Sequence, residues 1–346
     1  MNCGRLDMTD INRQWVVAQP SRSEGMCLEP EVFGVKENPV PGLEEGQILI
    51  RNKLFVCEPL VHAMVKGVPG RIDPLPVGTV FKGHAGGVVV SSLHPDFAEG
   101  DEVHGTLDWA DFVISDGLDA GGAPLSRLTP GYSLTTNMIT LGMTGLCAYI
   151  GVLEIGKPKL GDNVVVSAAA GGIGSIALQI AKLLGCRTIG IAGGPEKCEL
   201  LREELGADEA IDYKNGDLVS GLASAAPKGI DVMFDNVGGS VLDAVLVNLA
   251  PFGRVAMCGG ISGYDNPEMV VRNTTLLTQH NGMIQGFWYS DYEQVFSDAR
   301  DRLGGWLQSG ELKELVDVSQ GFEKVPESAR GIFAGSNAGK QLVQIS

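Results

Sequence analysis

The segment Val164–Cys186, VVVSAAAGGIGSIALQIAKLLGC, constrains the fold of this chain more than any other part of the sequence. It opens with consecutive valines, which are typical of a buried strand. Its second half repeats apolar residues at helical spacing: Ile176, Ile180, Leu183 and Leu184. The pattern predicts a strand, a tight turn and an amphipathic helix, the arrangement of a nucleotide-binding βαβ unit.

The turn of this unit carries Ala168, Gly171 and Gly174 at three-residue intervals. Glycine lets the backbone approach a pyrophosphate closely, and the N-terminus of the following helix presents free N–H groups to it. Alanine at the first position makes the motif a variant, but its place between strand and helix supports the interpretation. A turn of this type that binds nothing remains an alternative. The uncharged run 163–181 is not expected to span a membrane, because glycines interrupt its centre.

The residues after the next predicted strand, Arg187–Ala192, indicate which cofactor would bind. In units that bind NAD, an acidic residue at this point holds the ribose 2′-hydroxyl. Here the strand is followed by Gly193 and Gly194, which open room, and by Lys197, which can supply charge to a 2′-phosphate. We therefore expect NADPH. An inward-facing Glu196 would oppose this, and an exposed first-turn lysine is the alternative for Lys197.

Composition limits the classes of partner. A chain of 346 residues, 44% hydrophobic and 20% charged, suits a globular, enzyme-sized protein with either one very large domain or two ordinary ones. The net charge of −16 argues against binding to nucleic acid or to anionic membranes. The N-terminal residues lack the apolar core of a signal peptide, and the seven cysteines form no C-x-x-C pair. We expect a cytoplasmic protein with reduced thiols.

Patterning along the chain divides it into three parts. Residues 1–135 read as β-rich, with strands predicted over Gln47–Leu54, Val77–Phe81, Gly86–Ser91 and Asp111–Ile114. Residues 136–309 alternate strands with helices, which predicts a parallel, doubly wound α/β sheet. The later elements predicted there are Glu196–Leu205, Glu209–Asp212, Asp217–Ala225, Ile230–Asp235, Val241–Leu249, Arg254–Cys258, Met283–Trp288 and Tyr292–Gln308. Residues 310–346 hold short strands such as Leu342–Ile345.

Several motifs resemble one enzyme family. They are NRQWVVA, MTGLCAYIGVLEIGKPKLGDNVVVSAAAGGIGS, GIAGGPEKCELL, AIDYKN, KGIDVMFDNVGG, CGGISGYDN and GSNAGK. The chain is similar to zinc-independent medium-chain dehydrogenases/reductases, in the branch of NADP-dependent alkenal, enone and prostaglandin reductases that includes curcumin reductase. The resemblance implies a GroES-like catalytic domain, built from residues 1–135 and 310–346, and a Rossmann NADP-binding domain over residues 136–309. It also implies a homodimer that pairs through the edge strand of the Rossmann sheet, Met283–Trp288.

The same resemblance assigns residues to the cofactor. Those expected to bind it are Gly171, Gly172, Ile173, Gly174, Gly194, Lys197, Tyr213, Asn236, Cys258, Gly259, Ile261, Ser262, Tyr264, Phe287 and Asn337. Within this set, Lys197 and Tyr213 match residues that hold the 2′-phosphate, and Cys258 to Tyr264 match the loop lining the nicotinamide. Tyr264 matches the residue whose hydroxyl lies near the reacting carbonyl, and it is the candidate catalytic residue.

The reaction implied by the resemblance is reduction of a small, hydrophobic α,β-unsaturated ketone or aldehyde. NADPH would deliver a hydride to the β-carbon, and the Tyr264 hydroxyl or the cofactor ribose hydroxyl would stabilise the resulting enolate. A proton would then reach the α-carbon from solvent. Two alternatives stay open: an NADPH oxidoreductase of the same fold acting on quinones or in biosynthesis, and a redox-silent NADPH-binding protein.

A catalytic zinc is not expected. Cys57 and His84 lie near the positions of two ligands in the zinc alcohol dehydrogenases of the superfamily, but GHAGG lacks the acidic partner. The third ligand position falls near Met143, with Cys147 a turn further on. A catalytic zinc site needs three suitable protein ligands. We interpret His84 as a packed or surface histidine and Cys57 as a buried thiol.

The substrate half departs from the family pattern. Where the branch carries D-P-Y-M-R, this chain has Glu58 followed by Pro, Leu60, Val and His62, so that leucine replaces a tyrosine that helps to shape the substrate site. The loop after Tyr264 is altered as well. We place Leu60, His62 and Tyr264 in the substrate pocket. His62 is interpreted as an exposed histidine, with proton donation as the alternative.

Overall fold

In the computed structural model, the described residues are 11–23, 28–67, 72–264 and 270–345. The chain separates into two compact units, each described by itself below. Unit 1 comprises Met1–Met138, Asp317–Ser336 and Gln341–Ser346, and unit 2 comprises Ile139–Val316 and Asn337–Lys340. The domain ranges drawn from the sequence stay a prediction. They differ from these units mainly at residues 310–316 and 337–340, which cluster with unit 2.

The strands of the described residues are β1 (Ile11–Val17), β2 (Phe33–Pro39), β3 (Ile48–Val56), β4 (Lys82–Ser92), β5 (Glu102–Asp108), β6 (Phe112–Ser115), β7 (Ser126–Arg127), β8 (Asn163–Val166), β9 (Arg187–Ala192), β10 (Glu209–Asp212), β11 (Ile230–Asp235), β12 (Leu249–Met257), β13 (Met283–Gly286), β14 (Val316–Gln320) and β15 (Lys340–Gln344). The α-helices there are α1 (Leu60–Lys66), α2 (Leu134–Met138), α3 (Met143–Tyr149), α4 (Gly172–Leu183), α5 (Pro195–Glu203), α6 (Leu218–Ala225), α7 (Gly239–Val247), α8 (Leu276–His280), α9 (Phe296–Ser309) and α10 (Val325–Ala334). A π-helical stretch, Ile150–Gly156, continues α3.

Unit 2 is built on a parallel sheet. Its strands follow the order β10-β9-β8-β11-β12-β13, and every recorded pairing between neighbours is parallel. Apolar residues of the central strands, such as Val165, Ile189, Met233 and Val255, are fully buried in its core. Helices connect the strands, as the alternating sequence pattern predicts. The predicted fold class, a Rossmann-type sheet beside a β-rich domain, is confirmed.

Unit 1 is a mainly antiparallel β structure. Its larger sheet has the order β14-β15-β3-β4-β5-β7, with β6 also paired to β3, and β1 pairs with β2 in a separate ribbon. Aromatic rings fill its core. Trp15 stacks on Phe322 with ring centroids 5.3 Å apart, and Phe55 and Phe81 pack against Trp109. The C-terminal part of the chain therefore completes a core begun at the N-terminal part.

Two predicted elements are wrong. The strand expected at Val77–Phe81 is a turn, because Gly78 adopts a φ of +87° and Val80 forms only an isolated bridge to Val16. The helix expected at Tyr292–Gln308 is broken: a 3-10 segment, Tyr289–Val295, precedes α9, and Tyr292 has non-helical angles. Strands β1, β2 and β5 were not predicted.

The parallel strands were predicted more accurately. β9, β10 and β11 have the expected bounds. The uncharged run 163–181 folds as β8, a turn and the first part of α4. In the described part of the chain, none of the helices has the length and apolar character needed to cross a bilayer.

Candidate functional site

The glycine turn between β8 and α4 forms the centre of the candidate site in unit 2. Gly171 is the N-cap of α4, and its carbonyl accepts the N–H of Ser175 at 2.9 Å. The N–H groups of Gly172, Ile173 and Gly174 therefore have no acceptor within their own helix. Three N–H groups and the positive end of the helix dipole meet here, which suits a bound phosphate.

Glycine is required at Gly174 by its surroundings. Ala168 adopts a left-handed φ of +47°, which turns its carbonyl toward the helix. A Cβ at position 174 would overlap that carbonyl oxygen. The residues present thus fit a dinucleotide diphosphate, since the turn is tight and the backbone faces the ligand.

The loop after β9 carries the predicted 2′-phosphate residues. The Nζ of Lys197, in the first turn of α5, donates to the carbonyl oxygen of Asn337 at 2.6 Å. The ring of Tyr213 lies against Gly193, where a Cβ would be 2.9 Å from its Cε1. The structure brings Lys197, Tyr213 and Asn337 to one region, and Glu196 is exposed.

Asp212 supports this loop, although no sequence motif identifies it as a site residue. Its Oδ1 accepts the N–H of Gly194 at 2.8 Å and the N–H of Lys214 at 3.0 Å. These hydrogen bonds, led by the one from Gly194, lower the pKa of the Asp212 carboxyl. Gly194 has a φ of +98°, which a residue with a side chain rarely adopts. Asp212 thus fixes the shape of the loop.

A buried carboxylate organises the carboxyl ends of β8 and β11. Asp235 accepts hydrogen bonds from Ser167 Oγ at 2.7 Å and from the N–H groups of Val237 and Gly238 at 3.0 and 3.1 Å. Ser167 Oγ in turn accepts the N–H of Asn236 at 2.8 Å. Burial raises the pKa of Asp235, although the hydrogen bonds oppose this. The predicted cofactor residue Asn236 is therefore held by Ser167, and Ser167 is itself held by Asp235.

The loop after β12 is tied to the same carboxyl end. The N–H groups of Cys258 and Gly259 both donate to the carbonyl oxygen of Asp235, at 2.8 and 3.1 Å. The N–H of Ile261 donates to the carbonyl of Asn236, and the N–H of Ser262 donates to the carbonyl of Val237. These bonds place the predicted nicotinamide-lining loop against the turn that follows β11, at the edge where open α/β sheets bind ligands.

Tyr264 ends this loop, and its hydroxyl lies 3.9 Å from the position that a Cβ of Gly259 would occupy. The residue is 50% exposed, yet partial burial and the neighbouring Cys258 raise the pKa of its phenol above 10.0. A raised pKa keeps the hydroxyl protonated at neutral pH. Tyr264 can therefore act as a hydrogen-bond donor there.

Cys258 is held as a neutral thiol. A hydrogen bond with the thiol of Cys147, together with burial, raises the pKa of Cys258 well above its usual value. Neutral thiols are poor nucleophiles. Within the described residues no cysteine forms a disulfide bond, and this holds for Cys147 and Cys258 as well. Cys3 and Cys27 lie outside the described residues.

Phe287 is placed just beyond β13, in a cluster of aromatic residues. Its ring packs edge-on against Tyr292, with centroids 6.3 Å apart. It also approaches Gly151, where a Cβ would lie 3.0 Å from the ring and would overlap Phe234. The π-helical stretch that contains Gly151 thus packs directly on Phe287.

The structure places all the predicted cofactor residues in unit 2, whereas two predicted substrate residues lie in unit 1. Leu60 begins α1 and is exposed. His62 is 3% exposed and packs on Phe333, with ring centroids 5.5 Å apart. The interpretation of His62 as an exposed histidine is wrong, because the apolar face of α1 turns it into the core of unit 1.

The residues considered for zinc have other surroundings. In unit 1, Nε2 of His84 lies 3.2 Å from Nδ1 of His104, and Cys57 is buried in the apolar core. In unit 2, Cys147 is hydrogen-bonded to Cys258. Within the described residues, no group of three histidine, cysteine, aspartate or glutamate side chains is arranged to hold a metal.

Comparisons with known proteins agree with this geometry. Residues 172–304 match the family model described as zinc-binding dehydrogenase, and residues 13–121 match that of the N-terminal domain of oxidoreductase. The chain is 35% identical to the NADPH-dependent curcumin reductase of Escherichia coli over 97% of both chains. It is 34% identical to the NADP-dependent 2-alkenal reductase of Nicotiana tabacum, over 97% of this chain and 96% of the relative.

A solved structure is similar along nearly the whole length. CurA from Vibrio vulnificus in complex with NADPH superposes with a TM-score of 0.88 at 33% identity, covering 96% of this chain and 99% of that chain. NADPH is therefore the cofactor that these similarities support.

The Asp235 network yields a test with a matched control. Replacing Asp235 by alanine should weaken NADPH binding about tenfold or more, because the buried N–H groups of Val237 and Gly238 lose their acceptor at a cost of about 1–3 kcal/mol each. Asp231→Ala, near the opposite end of β11, removes a similar acceptor, since Asp231 accepts the N–H of Asn163 at 2.8 Å. Fluorescence titration with NADPH should show an unchanged dissociation constant for that control. Equal weakening in both variants would contradict a local role for Asp235.

Proposed function

This chain belongs to the zinc-independent, NADP-dependent branch of the medium-chain dehydrogenase/reductase superfamily, and from that premise we propose that it reduces the carbon–carbon double bond of α,β-unsaturated ketones or aldehydes with NADPH. The observation that carries the proposal is the phenol of Tyr264. Its hydroxyl, a hydrogen-bond donor at neutral pH, lies 3.9 Å from the position that a Cβ of Gly259 would occupy, in the loop that carries the predicted nicotinamide-lining residues. A donor suits an oxygen on which negative charge develops.

When bound, NADPH supplies the hydride that the β-carbon of the substrate receives. The residues of the chain provide binding and orientation. The N–H groups of Gly172, Ile173 and Gly174 hold the diphosphate, and Lys197 and Tyr213 hold the 2′-phosphate. Orientation of this kind converts a bimolecular reaction into an intramolecular one and can lower the barrier by about 7–11 kcal/mol.

The Tyr264 hydroxyl then acts on the substrate carbonyl. As hydride adds to the β-carbon, negative charge moves to the carbonyl oxygen, and the phenol O–H donates to it. One such donor is worth about 3 kcal/mol of barrier. The enolate takes its proton at the α-carbon from solvent. Cys258 stays neutral beside this chemistry, which limits its addition to an electrophilic substrate.

The proposal is tested by turnover. Purified protein should oxidise NADPH with hydrophobic enones and enals, in the presence of EDTA, and the product should be the saturated carbonyl compound. Product analysis by mass spectrometry distinguishes this from reduction of the carbonyl to an alcohol. Turnover with quinones but not with enones would favour the quinone alternative. NADPH binding without turnover of either class would favour a redox-silent role.

Tyr264→Phe should slow hydride transfer about tenfold to a thousandfold, toward the lower end if the cofactor ribose hydroxyl shares the work. Because the phenol pKa lies above 10.0, the ratio of wild-type to variant rates should stay constant from about pH 6 to pH 9 and fall at higher pH. Single-turnover NADPH oxidation measures this.

Tyr213→Phe provides the control for that experiment. It should weaken NADPH binding while leaving hydride transfer at saturating NADPH unchanged. A wild-type hydride-transfer rate in Tyr264→Phe would remove Tyr264 from the mechanism.

We also propose that the protein is a cytoplasmic homodimer that pairs through β13. This strand ends the parallel sheet, and its free edge can hydrogen-bond to a second copy. Trp288, directly after it, is 62% exposed. The free thiols of the described cysteines suit the reducing cytoplasm. The net charge of −16 supports a small-molecule substrate over nucleic acid or a membrane surface as partner.

Light scattering at micromolar concentration should give twice the 36.5 kDa mass of the chain. Trp288→Glu should shift the mass toward that of one chain, because burying a carboxylate at the contact is unfavourable. Leu160→Glu alters a residue that is 85% exposed and lies outside β13. It should leave the dimer intact. A wild-type protein with the mass of one chain contradicts the proposal.

A further inference from the structure

The segment Asn337–Lys340 belongs to unit 2 and connects the loop that carries Lys197 to the glycine turn. At its start, the carbonyl of Asn337 accepts the Lys197 Nζ. Two residues later, the N–H of Gly339 donates to the carbonyl of Ala170 at 2.7 Å, and Gly339 pairs with Gly171 in a parallel bridge. The segment therefore reaches the glycine turn with Lys340 as its next residue.

The side chain of Lys340 lies along the first residue of α4. A Cβ at Gly172 would be 2.8 Å from Lys340 Cδ and 3.1 Å from Lys340 Cβ. The ammonium is two bonds beyond that Cδ, so it stays close to the N-terminus of the helix. The residue is only 8% exposed, and its N–H donates to the carbonyl of Leu315 at 2.9 Å. Its position is thus set by the backbone as well as by packing.

The charge of Lys340 also reaches the loop after β12. The ammonium favours the thiolate of Cys258, although the hydrogen bond with Cys147 and burial outweigh it and raise the pKa of that thiol. The ammonium of Lys340 therefore acts electrostatically on the loop after β12 as well as on the start of α4.

The ammonium of Lys340 and the N-terminus of α4 carry charge of the same sign. The N-terminus of a helix carries partial positive charge, so a lysine beside it is repelled by the helix dipole. An anion bound between the two reverses the sign of the interaction, because both the ammonium and the N–H groups then attract it. Gly172 has no side chain to separate Lys340 from that anion.

We propose that Lys340 is a binding residue for the cofactor diphosphate, the part that NADPH and NADH share. The inference rests on the proposed function for the nature of the anion. Lys340 and Lys197 then have different roles. Lys340 contributes to the affinity for both NADPH and NADH, whereas Lys197 contributes to the preference for NADPH.

Calorimetric titration of the full chain with NADPH, NADH and 2′-AMP tests this division. Lys340→Met keeps most of the stem and removes the charge. It should weaken NADPH and NADH by a similar factor, about tenfold to a hundredfold, because one charge-assisted interaction is lost. Binding of 2′-AMP, which lacks the diphosphate, should stay at the wild-type value. Lys197→Ala should show the converse, with losses for NADPH and 2′-AMP and little change for NADH.

Two further variants separate charge from structure. Lys340→Arg should restore most of the affinity, and Lys313→Met, which removes an exposed lysine paired with Glu204, should bind all three probes normally. The affinity of Lys340→Met should also depend less on salt than that of the wild type, since one attraction to an anion is gone.

Three results would overturn the inference. They are unchanged NADPH affinity in Lys340→Met, a loss confined to NADPH, and a loss that extends to 2′-AMP and is not restored by arginine. The failure of the proposed function would look different, because wild-type protein would then bind NADPH and turn over no enone or enal.

Discussion

The buried carboxylate of Asp235 is the interaction on which the cofactor site depends. It is the last residue of β11, and its hydrogen bonds reach Ser167 after β8 and the N–H groups of the β11–α7 turn. The loop after β12 is hydrogen-bonded to the backbone carbonyl of the same residue. One residue thus fixes the relative positions of three turns at the carboxyl edge of the parallel sheet. Its burial costs solvation, which the hydrogen bonds offset.

The fold of unit 2 could be predicted from the sequence because its signals are local. A run of valines, a glycine turn and an apolar helical face lie within one segment, and the central strands β9 and β11 are buried on both faces, as in other parallel sheets. Unit 1 was harder to predict. β15 pairs with β3, and Trp15 stacks on Phe322, so the contacts that define its strands join residues hundreds of positions apart. The alternation of apolar and polar residues within a short stretch of sequence gives little information about such long-range contacts.

The candidate site shows the same division. Gly174 and Lys197 lie in motifs whose spacing predicts cofactor binding. Tyr213 and Asn337 were predicted as cofactor residues only from the resemblance to known reductases. The supporting residues carry no such signal. In the sequence, Asp212, Ser167 and Asp235 look like ordinary polar residues at strand ends. Only the folded structure shows that their side chains accept hydrogen bonds from backbone N–H groups of the neighbouring turns. His62 was placed wrongly for a related reason: a histidine on a short helix does not reveal which face the helix buries.

The negative net charge of the chain makes the hydrogen-bond donors of the cofactor site important for binding. A protein with a net charge of −16 has to bind an anionic cofactor. Its overall field opposes that encounter, but salt screens charges separated by more than about 8–10 Å at physiological ionic strength. Contacts within hydrogen-bond distance are not screened in this way. Affinity therefore rests on a few short-range donors: the N–H groups at the start of α4, the ammonium of Lys197 and, as we infer, that of Lys340. Binding of the anionic cofactor is therefore decided by these short-range donors and not by the net charge of the chain.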